Sequence, residues 1–535
     1  MKVLSASSKF LPFIFRTLFF IVLSTGLAFG QSGGEGNMVT IGVILILGVL
    51  VLGAVAVVGN SMVQVLSVKT GVDIGSTSDE EGTGANIHVL KKGTDIKLKG
   101  ESHQEIEDVF TSRYAVQPFN FNNIAPIPKL VVEEGDEVLA GQALFFDKKH
   151  PDVFFVSPVS GEVVEINRGL KRAIDQVVIL ADKEISYKDL NSPDVETADR
   201  EEIRTFLKEN GGWPLFMQRP YNILPDNDEE PRDIFISGFD TSPLAGDSSV
   251  AIDGRFDAIQ KGIQVLNKLT DGSVFMSLDG RKESSFPVEL EELSGVEKHY
   301  FDGPHPAGNV GVQIHHIKPI KQGDIVWTIG LQELITLGNM FLKNQYDATR
   351  IINVCGPSAQ RPRYIRTFLG ADLSELVKQE LEDEKIRVIS GNVLCGDKKE
   401  GNAFLDFYST QVTCISEGND YEMFGWLIPQ SFRPTVSPTF PNFALKEMAY
   451  DVDTNTHGEK RAFVVSGQYE ELLPVDTFPQ HLFKAIITRD IDRMEGLGIY
   501  ELVEEDVALC EFACTSKQPL QKLLREGLDF MLVEA

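Results

Sequence analysis

The feature that most constrains this chain is a segment of 21 residues without a charge, residues 38–58, with the sequence MVTIGVILILGVLVLGAVAVV. As an α-helix it is about 30 Å long, which matches the hydrocarbon core of a bilayer. The apolar residues 10–30 follow two lysines and end in small residues, as a signal peptide does. We therefore predict a signal peptide or first membrane helix over residues 1–30 and a transmembrane helix over residues 38–58.

Both versions of the N-terminus place the long C-terminal part on the same side. If residues 1–30 are cleaved, the second helix returns the chain to the cytoplasm; if they are retained, the two helices form a hairpin with both ends inside. Lys2, Lys9 and Lys69 agree with this orientation. The sequence predicts that most of the chain lies on the cytoplasmic side of the inner membrane, after a flexible linker over residues 59–85.

The charge balance excludes one class of partner. Acidic residues outnumber basic ones 78 to 50, for a net charge of −28, and such a surface repels nucleic acid. The cysteines are too few for a disulfide framework, and Cys510 and Cys514 lack the second pair that a zinc or iron–sulfur site needs. The histidines in PHPAGNVGVQIHHIKP are not at compact ligand spacing. We expect no metal site in this chain.

The residues after the linker predict an α+β / α/β multidomain protein. Residues 86–185 show the short strands and glycine turns of a biotinyl/lipoyl-like β-sandwich. A swinging arm on Lys148 or Lys149 is disfavoured, because the interval to SPVSG is longer than in a carrier hairpin. No cofactor is therefore expected to be bound covalently.

Residues 186–345 alternate strand and helix, which predicts a Rossmann-like α/β domain. No G-x-G-x-x-G follows a strand and no G-x-x-x-x-G-K-[ST] occurs, so nucleotide binding in the usual mode is disfavoured. Residues 346–410 read strand, turn, strand, helix, strand, as a β-grasp-like module does. Residues 411–535 are predicted to form a mainly helical C-terminal domain, and VGVQIHH is predicted to be a strand.

The order of several motifs is characteristic. GGWPLFMQRPYNILP, IFISGFDTSPLA, PHPAGNVGVQIHHI and ISGNVLCG, followed by ELVEEDVALCEFACTSKQPLQKLLREGLD, resemble the NqrA family, one of the six kinds of subunit in the Na+-translocating NADH:quinone reductases. The similarity covers residues 86–535. The apolar segments of residues 1–58 depart from the family, whose common form is peripheral.

The resemblance implies a role in a six-subunit membrane complex that oxidises NADH, reduces a quinone and exports sodium. The partners would be the other five subunits, B to F. The family places FAD, FMN, riboflavin and the iron–sulfur or iron centres mainly in those subunits, and it associates NqrA with the quinone substrate. Two alternatives stay open: a flavin- and NADH-binding subunit of the Rnf type, and a docking scaffold without a ligand.

A quinone site needs an apolar, aromatic slot and one or two donors for the carbonyl oxygens. The candidates are the residues of GGWPLFMQRP and the first histidine of PHPAG: Gly211, Gly212, Trp213, Phe216, Met217, Arg219 and His305. Each also has a structural interpretation, as a helix end, a core aromatic or a loop-fixing histidine. A basic cluster would meet an acidic partner subunit or a phosphate, or else form internal salt bridges: Arg361, Arg363 and Arg366.

Overall fold

The computed structural model describes residues 86–534 except 126, 282–288, 379–384, 402, 419–424, 426–428, 438–439 and 446. The predicted signal peptide or first membrane helix, the predicted transmembrane helix and the predicted linker lie outside the described residues. Among the helices that are described, none combines the length and the apolarity needed to cross a membrane.

The strands, in chain order, are β1 Ile87–Val89, β2 His103–Asp108, β3 Arg113–Val116, β4 Lys129–Leu130, β5 Glu137–Val138, β6 Ala143–Phe146, β7 Phe154–Val156, β8 Gly161–Arg168, β9 Ile174–Ala181, β10 Met217–Arg219, β11 Asp233–Ser237, β12 Val274–Asp279, β13 Glu297–Asp302, β14 Val326–Gly330, β15 Thr349–Cys355, β16 Arg363–Phe368, β17 Ile386–Ser390, β18 Asp397–Lys399 and β19 Gln411–Ser416.

The α-helices are α1 Arg200–Glu209, α2 Ser248–Ile252, α3 Phe256–Leu269, α4 Glu289–Glu292, α5 Val310–Ile317, α6 Leu331–Leu342, α7 Leu373–Leu376, α8 Pro479–Thr488, α9 Ile491–Gly496, α10 Glu504–Ala513 and α11 Leu520–Glu534.

Two small antiparallel sheets form the first layer, in the orders β3-β9-β8-β5 and β4-β6-β7. Their facing side chains are buried and apolar, with Leu144, Phe145 and Val177 completely enclosed. The alternating pattern recognised in the sequence therefore corresponds to strands with one face in a core.

The second layer is a six-stranded sheet in the order β1-β13-β12-β11-β14-β10, parallel except for the antiparallel edge strand β10. The crossover helix α3 buries Ile259, Ile263 and Leu266 at helical spacing. Parallel strands covered by helices are buried on both faces, and β11 (DIFIS) is accordingly buried along nearly its whole length. From β11 the chain builds one half of the sheet and then returns to place β14 on the opposite side of β11.

The third layer is a sheet of six strands in the order β18-β17-β19-β15-β16-β2, which we call the third sheet. The local order β15, β16, α7, β17 is strand, strand, helix, strand, and Asp372 caps α7 by accepting the Ser374 N–H. Two further strands come from outside residues 346–410: β19 pairs with β15 and β17, and β2 pairs with β16. Long-range pairing of this kind leaves no local signal in the sequence.

The prediction that VGVQIHH is a strand is wrong, because Val310–Ile317 forms helix α5. Residues 310–314 are all buried. Helix α5 lies between the six-stranded sheet of the second layer and the C-terminal helices, and it contacts apolar side chains of both. A short segment that is buried on every side shows no helical periodicity, so its pattern does not separate helix from strand.

The C-terminal region, predicted to be mainly helical, begins with β19, and its longer helices start only at Pro479. Helices α8, α10 and α11 enclose a separate apolar core that includes Leu482, Phe483, Leu524 and Leu528. Helix α10 lies against the second layer, where Glu505 in its first turn contacts Arg219 of the edge strand β10.

Candidate functional site

A cavity of about 380 Å³ lies at the carboxyl ends of β11 and β14. Ser237 ends β11 and Gly330 ends β14, and both residues line it. These neighbouring strands flank the point at which the strand order reverses. In open parallel α/β sheets this crevice is the usual place for a ligand, so we call it the sheet-end cavity.

Other parts of the chain close the sheet-end cavity. The start of α5 contributes Asn309, helix α10 contributes Glu505 and Ala508, and the turn after β17 contributes Leu394 and Cys395. Asn309 donates from Nδ2 to the Glu505 carbonyl oxygen at 3.0 Å, which fixes α5 against α10. The cavity therefore exists only when the second layer, the third sheet and the C-terminal helices are assembled.

Arg219, at the end of β10, is the basic residue at this cavity. It is 4% exposed and donates from Nη2 to Glu505 Oε1 at 2.8 Å, while Nη1 lies 3.7 Å from Asp506 Oδ2. Its Nε is buried without a hydrogen-bond partner among the described residues. A buried donor that is left unpaired costs free energy, which a ligand atom at this position would recover.

His305 lies on the same cavity and is 3% exposed. Its Nδ1 is 3.2 Å from the Thr241 hydroxyl, which already accepts the Gly308 N–H. In the tautomer in which the Thr241 hydroxyl donates to Nδ1, the ring proton is on Nε2, a buried atom with no protein partner within the described part of the chain. Burial lowers the pKa of His305, while Asp240 and Asp95 oppose the shift, so the neutral ring is a hydrogen-bond donor at neutral pH.

Asp506 is completely buried behind Arg219. One carboxylate oxygen accepts the Val503 N–H at 3.0 Å and the other lies 3.4 Å from Asn309 Nδ2. Burial raises the pKa of Asp506 to about 7, against the opposing effect of Arg219, and Glu505 adds to the increase. A carboxyl group with a pKa near neutral thus lies next to Arg219, which itself lines the cavity.

This raised pKa predicts an unusual dependence of stability on pH. The native carboxyl group holds its proton up to about pH 7, whereas the unfolded one releases it near pH 4, so the wild-type chain loses stability as the pH rises between these values. Asp506→Asn removes this contribution. We expect urea unfolding to show that the free energy of unfolding of the variant, relative to that of the wild type, increases from pH 4.5 to pH 7.5. The exposed Asp492→Asn on α9 is the control; parallel curves for all three proteins would contradict the assignment.

The structure divides the sequence-predicted quinone residues into two groups. Met217, Arg219 and His305 line the sheet-end cavity. Trp213 and Phe216 are fully buried and pack against Trp327, with ring centroids 5.2 and 5.4 Å away. These two aromatic rings belong to the core beneath the sheet.

Gly211 and Gly212 connect α1 to this aromatic core. Gly211 has a φ of +77°, and a Cβ there would lie 2.4 Å from a methyl group of Val156. A Cβ on Gly212 would lie 2.5 Å from Leu207 Cδ2. Gly211 needs glycine because its φ is positive and its backbone passes close to Val156, whereas a side chain at Gly212 would require Leu207 to shift.

The basic cluster pairs with strand β2. Arg363 Nε lies 3.0 Å from Glu107 Oε2, Arg361 Nη2 lies 3.4 Å from the same oxygen, and Arg366 Nη1 lies 2.9 Å from Asp108 Oδ1. Arg361 remains 62% exposed along its side chain. The three arginines therefore fix β2 at the edge of the third sheet.

Sequence reasoning missed Glu505, Asp506 and Asn309. The acidic run in ELVEEDVALC was visible, but an acidic run usually forms a solvated helix face. Only the docking of α10 on α5 buries Asp506 and directs Glu505 at Arg219. The other two histidines of the motif join the end of α5 to the segments that precede α10 and α8: His315 Nδ1 lies 2.6 Å from Glu501 Oε2, and His316 Nε2 lies 2.8 Å from the Pro474 carbonyl oxygen. Among the described residues, no cluster of three or more histidine, cysteine or acidic residues is arranged to hold a metal ion.

Family models match three parts of the chain. Residues 88–182 match the NqrA N-terminal barrel-sandwich hybrid domain, residues 198–346 the NqrA second alpha/beta domain, and residues 351–401 the NQRA C-terminal domain. A chain of the crystal structure of NAD+-reducing [NiFe]-hydrogenase in the air-oxidized state aligns at a TM-score of 0.35 and 10% identity over 65% of this chain and 67% of that one, a likeness from which nothing is concluded.

The chain matches its curated relatives over nearly their whole length. The A subunit of the Na(+)-translocating NADH-quinone reductase of Vibrio atlanticus (strain LGP32) is 38% identical over 443 residues, 82% of this chain and 98% of the relative. Those of Vibrio vulnificus (strain YJ016) and Aliivibrio salmonicida (strain LFI1238) are 37% and 36% identical, again over 82% of this chain and 98% of the relative.

The fold is that of a mixed α/β subunit of several domains, in which a barrel-sandwich domain precedes an α/β domain with a cavity at its sheet end. The chain belongs to the NqrA family of the Na+-translocating NADH:quinone reductases. The predicted family is confirmed, and so is the prediction of a mixed α/β multidomain fold with a sandwich domain before the α/β domain. The chain is accordingly one subunit of an enzyme complex.

Proposed function

We propose that this chain contributes a quinone site to its reductase and that the sheet-end cavity holds the quinone head group. Two buried side chains, His305 and Arg219, line the same cavity, and each has a buried nitrogen without a hydrogen-bond partner among the described residues. A quinone ring offers two carbonyl oxygens as hydrogen-bond acceptors, which is the complement of two donors. This pairing is the observation that carries the proposal.

The remaining walls fit a flat, mainly apolar ring. Met217, Phe239, Val310 and Ile329 supply apolar surface at the cavity. Its volume of about 380 Å³ lies within the range of about 300–1,000 Å³ usual for small-molecule sites. The ring would contact apolar side chains while its oxygens meet the two donors.

Reduction of a quinone to a quinol consumes two electrons and two protons. The electrons would arrive from flavins and iron centres in the other five subunits, as the family resemblance implies. Protonated Asp506 could pass a proton to the site through Glu505, which contacts Arg219 at 2.8 Å. In this role the chain would lie on the cytoplasmic side of the inner membrane, assembled with those subunits.

The test is a quinone titration of the full-length chain in lipid nanodiscs, followed by quenching of tryptophan fluorescence. We expect saturable binding of a tail-less benzoquinone. Arg219→Gln should weaken binding about 10- to 100-fold, as expected for a charged hydrogen bond, and His305→Leu about 3- to 10-fold. The exposed Arg493→Gln and His481→Leu are matched controls that should bind normally.

Three outcomes would contradict the proposal. Unchanged affinity in both cavity variants would place the quinone elsewhere. A wild-type chain that does not bind quinone would favour the interpretation as a docking scaffold. A chain that purifies yellow or brown would favour a flavin- or cluster-bearing subunit of the Rnf type.

A further inference from the structure

The hairpin that joins β8 to β9 ends in a short loop with a bare leucine. The Gly169 N–H donates to the Ala173 carbonyl oxygen at 2.9 Å, and the Ala173 N–H donates to the Leu170 carbonyl oxygen at 3.1 Å. Leu170 is 91% exposed, the largest fraction among the exposed large apolar residues that the structure describes. The loop is therefore held by backbone hydrogen bonds while its apolar side chain stands in water. We call residues 168–172 the hairpin tip.

Three cations surround this leucine. Arg168, Lys171 and Arg172 are all exposed. Within the described part of the chain none of them forms an ion pair, and Arg168 instead donates to the Arg172 carbonyl oxygen at 3.5 Å. The carboxylate of Asp175 lies against Gly169, at the base of the loop. In a chain with a net charge of −28, three unpaired cations within five residues fit an anionic partner.

The backbone of the hairpin tip keeps the leucine away from its domain. Lys171 and Arg172 have φ angles of +56° and +64°, in the left-handed region that costs free energy for residues other than glycine. Ile174, the first residue of β9, is 3% exposed, so the apolar side chain just after the tip packs in the core whereas Leu170 does not. A strained loop that presents an apolar side chain indicates a contact outside the domain.

A lipid bilayer fits the hairpin tip better than a protein surface does. A stable protein interface buries on the order of 1,000 Å² or more, which a tip of five residues does not supply. A bilayer surface needs only a few side chains: an apolar one enters the boundary between head groups and acyl chains, and basic ones remain with the anionic head groups. The Na+-translocating reductase is a membrane complex, so a bilayer is present beside the assembled protein.

We propose that the hairpin tip contacts the membrane surface, with Leu170 in the interface and Arg168, Lys171 and Arg172 on anionic phospholipid head groups. The contact lies on the barrel-sandwich domain and goes beyond the quinone site, on which it does not depend. It would orient this domain toward the bilayer. Each basic residue near an anionic surface strengthens such a contact about fivefold.

The test uses the complete reductase in lipid nanodiscs, with the photo-crosslinking residue p-benzoylphenylalanine at position 170 of this chain. One bilayer contains phosphatidylglycerol and phosphatidylcholine, and the other contains phosphatidylcholine alone. Mass spectrometry of the tip peptide detects lipid adducts, and gel electrophoresis detects crosslinks to another subunit. NADH-dependent quinone reduction checks that each variant is assembled.

Leu139 is the matched control position for the crosslinker. It is an exposed leucine of the same domain, 41% exposed, and it follows Val138, which pairs with Gly161 at the start of β8. The start of β8 lies about 20 Å along the strand from the hairpin tip. Acidic residues, Asp136 and Glu137, precede Leu139 in place of the cations.

We expect a lipid adduct at position 170 in the anionic bilayer and at least fivefold less in the neutral one, with no such difference at position 139. The triple variant Arg168→Gln, Lys171→Gln, Arg172→Gln should lower the adduct by a similar factor. A rise in KCl from about 0.05 to about 0.5 M should lower it too, because salt screens exposed charges.

Two results would overturn the proposal outright: a crosslink from position 170 to another subunit, which would make the tip a protein contact, and the absence of any adduct in both bilayers. Equal adducts in the two bilayers would overturn the role of the cations. If the triple variant does not assemble, the comparison of the two bilayers decides by itself, because it leaves all three cations in place.

Discussion

Trp213→Ala is expected to lower the free energy of unfolding by about 3–5 kcal/mol, the usual cost of emptying a buried aromatic site. The indole is fully enclosed, packs edge-on against Trp327 and donates from Nε1 to the Pro225 carbonyl oxygen at 3.0 Å. Arg204 and Lys208 lie over its ring at 5.7 and 5.3 Å. The measurement is urea unfolding followed by circular dichroism.

Trp213→Phe is the matched control for this prediction. It keeps most of the ring volume but loses the hydrogen bond to Pro225, so its loss should be smaller, about 1–2 kcal/mol. A Trp213→Ala chain that kept wild-type stability but failed to bind quinone would contradict the core assignment and make the indole a ligand contact again.

Asp372→Ala is expected to cost a similar amount, about 3–5 kcal/mol, because it removes the nearer carboxylate of a partly buried arginine, which keeps only Glu165 at 3.7 Å, and it also removes the cap of α7. Asp372 is completely buried and accepts two hydrogen bonds from Arg113, at 2.7 and 3.1 Å. It also caps α7 through the Ser374 N–H and hydroxyl. Arg113 opens strand β3 of the barrel-sandwich domain, so this one carboxylate joins that domain to the module of the third sheet.

Asp372→Asn separates the two roles of this residue. The amide oxygen can still accept the Ser374 N–H, but the amide nitrogen that replaces Oδ2 cannot accept the two hydrogen bonds from Arg113. We therefore expect the cap to be kept, the Arg113 pair to be lost and the stability to fall by about 1–3 kcal/mol. Urea unfolding of the two variants measures the difference. Equal stability of Asp372→Ala and the wild type would show that the joint between the domains does not depend on this pair.

Local sequence patterns predicted a large part of the secondary structure. Helix α1 begins after Asp199, whose side chain forms a capping box with Glu202, and it ends before Gly211 as the two glycines predict. The strand RDIFIS and the helix that follows it occur where hydrophobicity and helical spacing indicate them. Helix α5 was misjudged because burial on all sides removes its periodicity, and strands β2 and β19 joined a sheet that their neighbours in sequence do not predict.

The residues of the candidate site were likewise predicted only in part. The sequence alone determined the family, through motifs distributed over residues 86–535, and it identified Met217, Arg219 and His305 by residue type and context. It also grouped Trp213 and Phe216 with them, because aromatic residues in a core and in a ligand slot have the same local pattern. Only the tertiary structure decided which of these side chains meet at the end of the sheet and which pack beneath it. It also supplied Asp506, whose burial depends on the contact of α10 with α5 and raises its pKa against the opposing effect of Arg219. Burial and proximity are properties of the packed chain, and residues nearly 300 positions apart acquire them only when the domains close on one another.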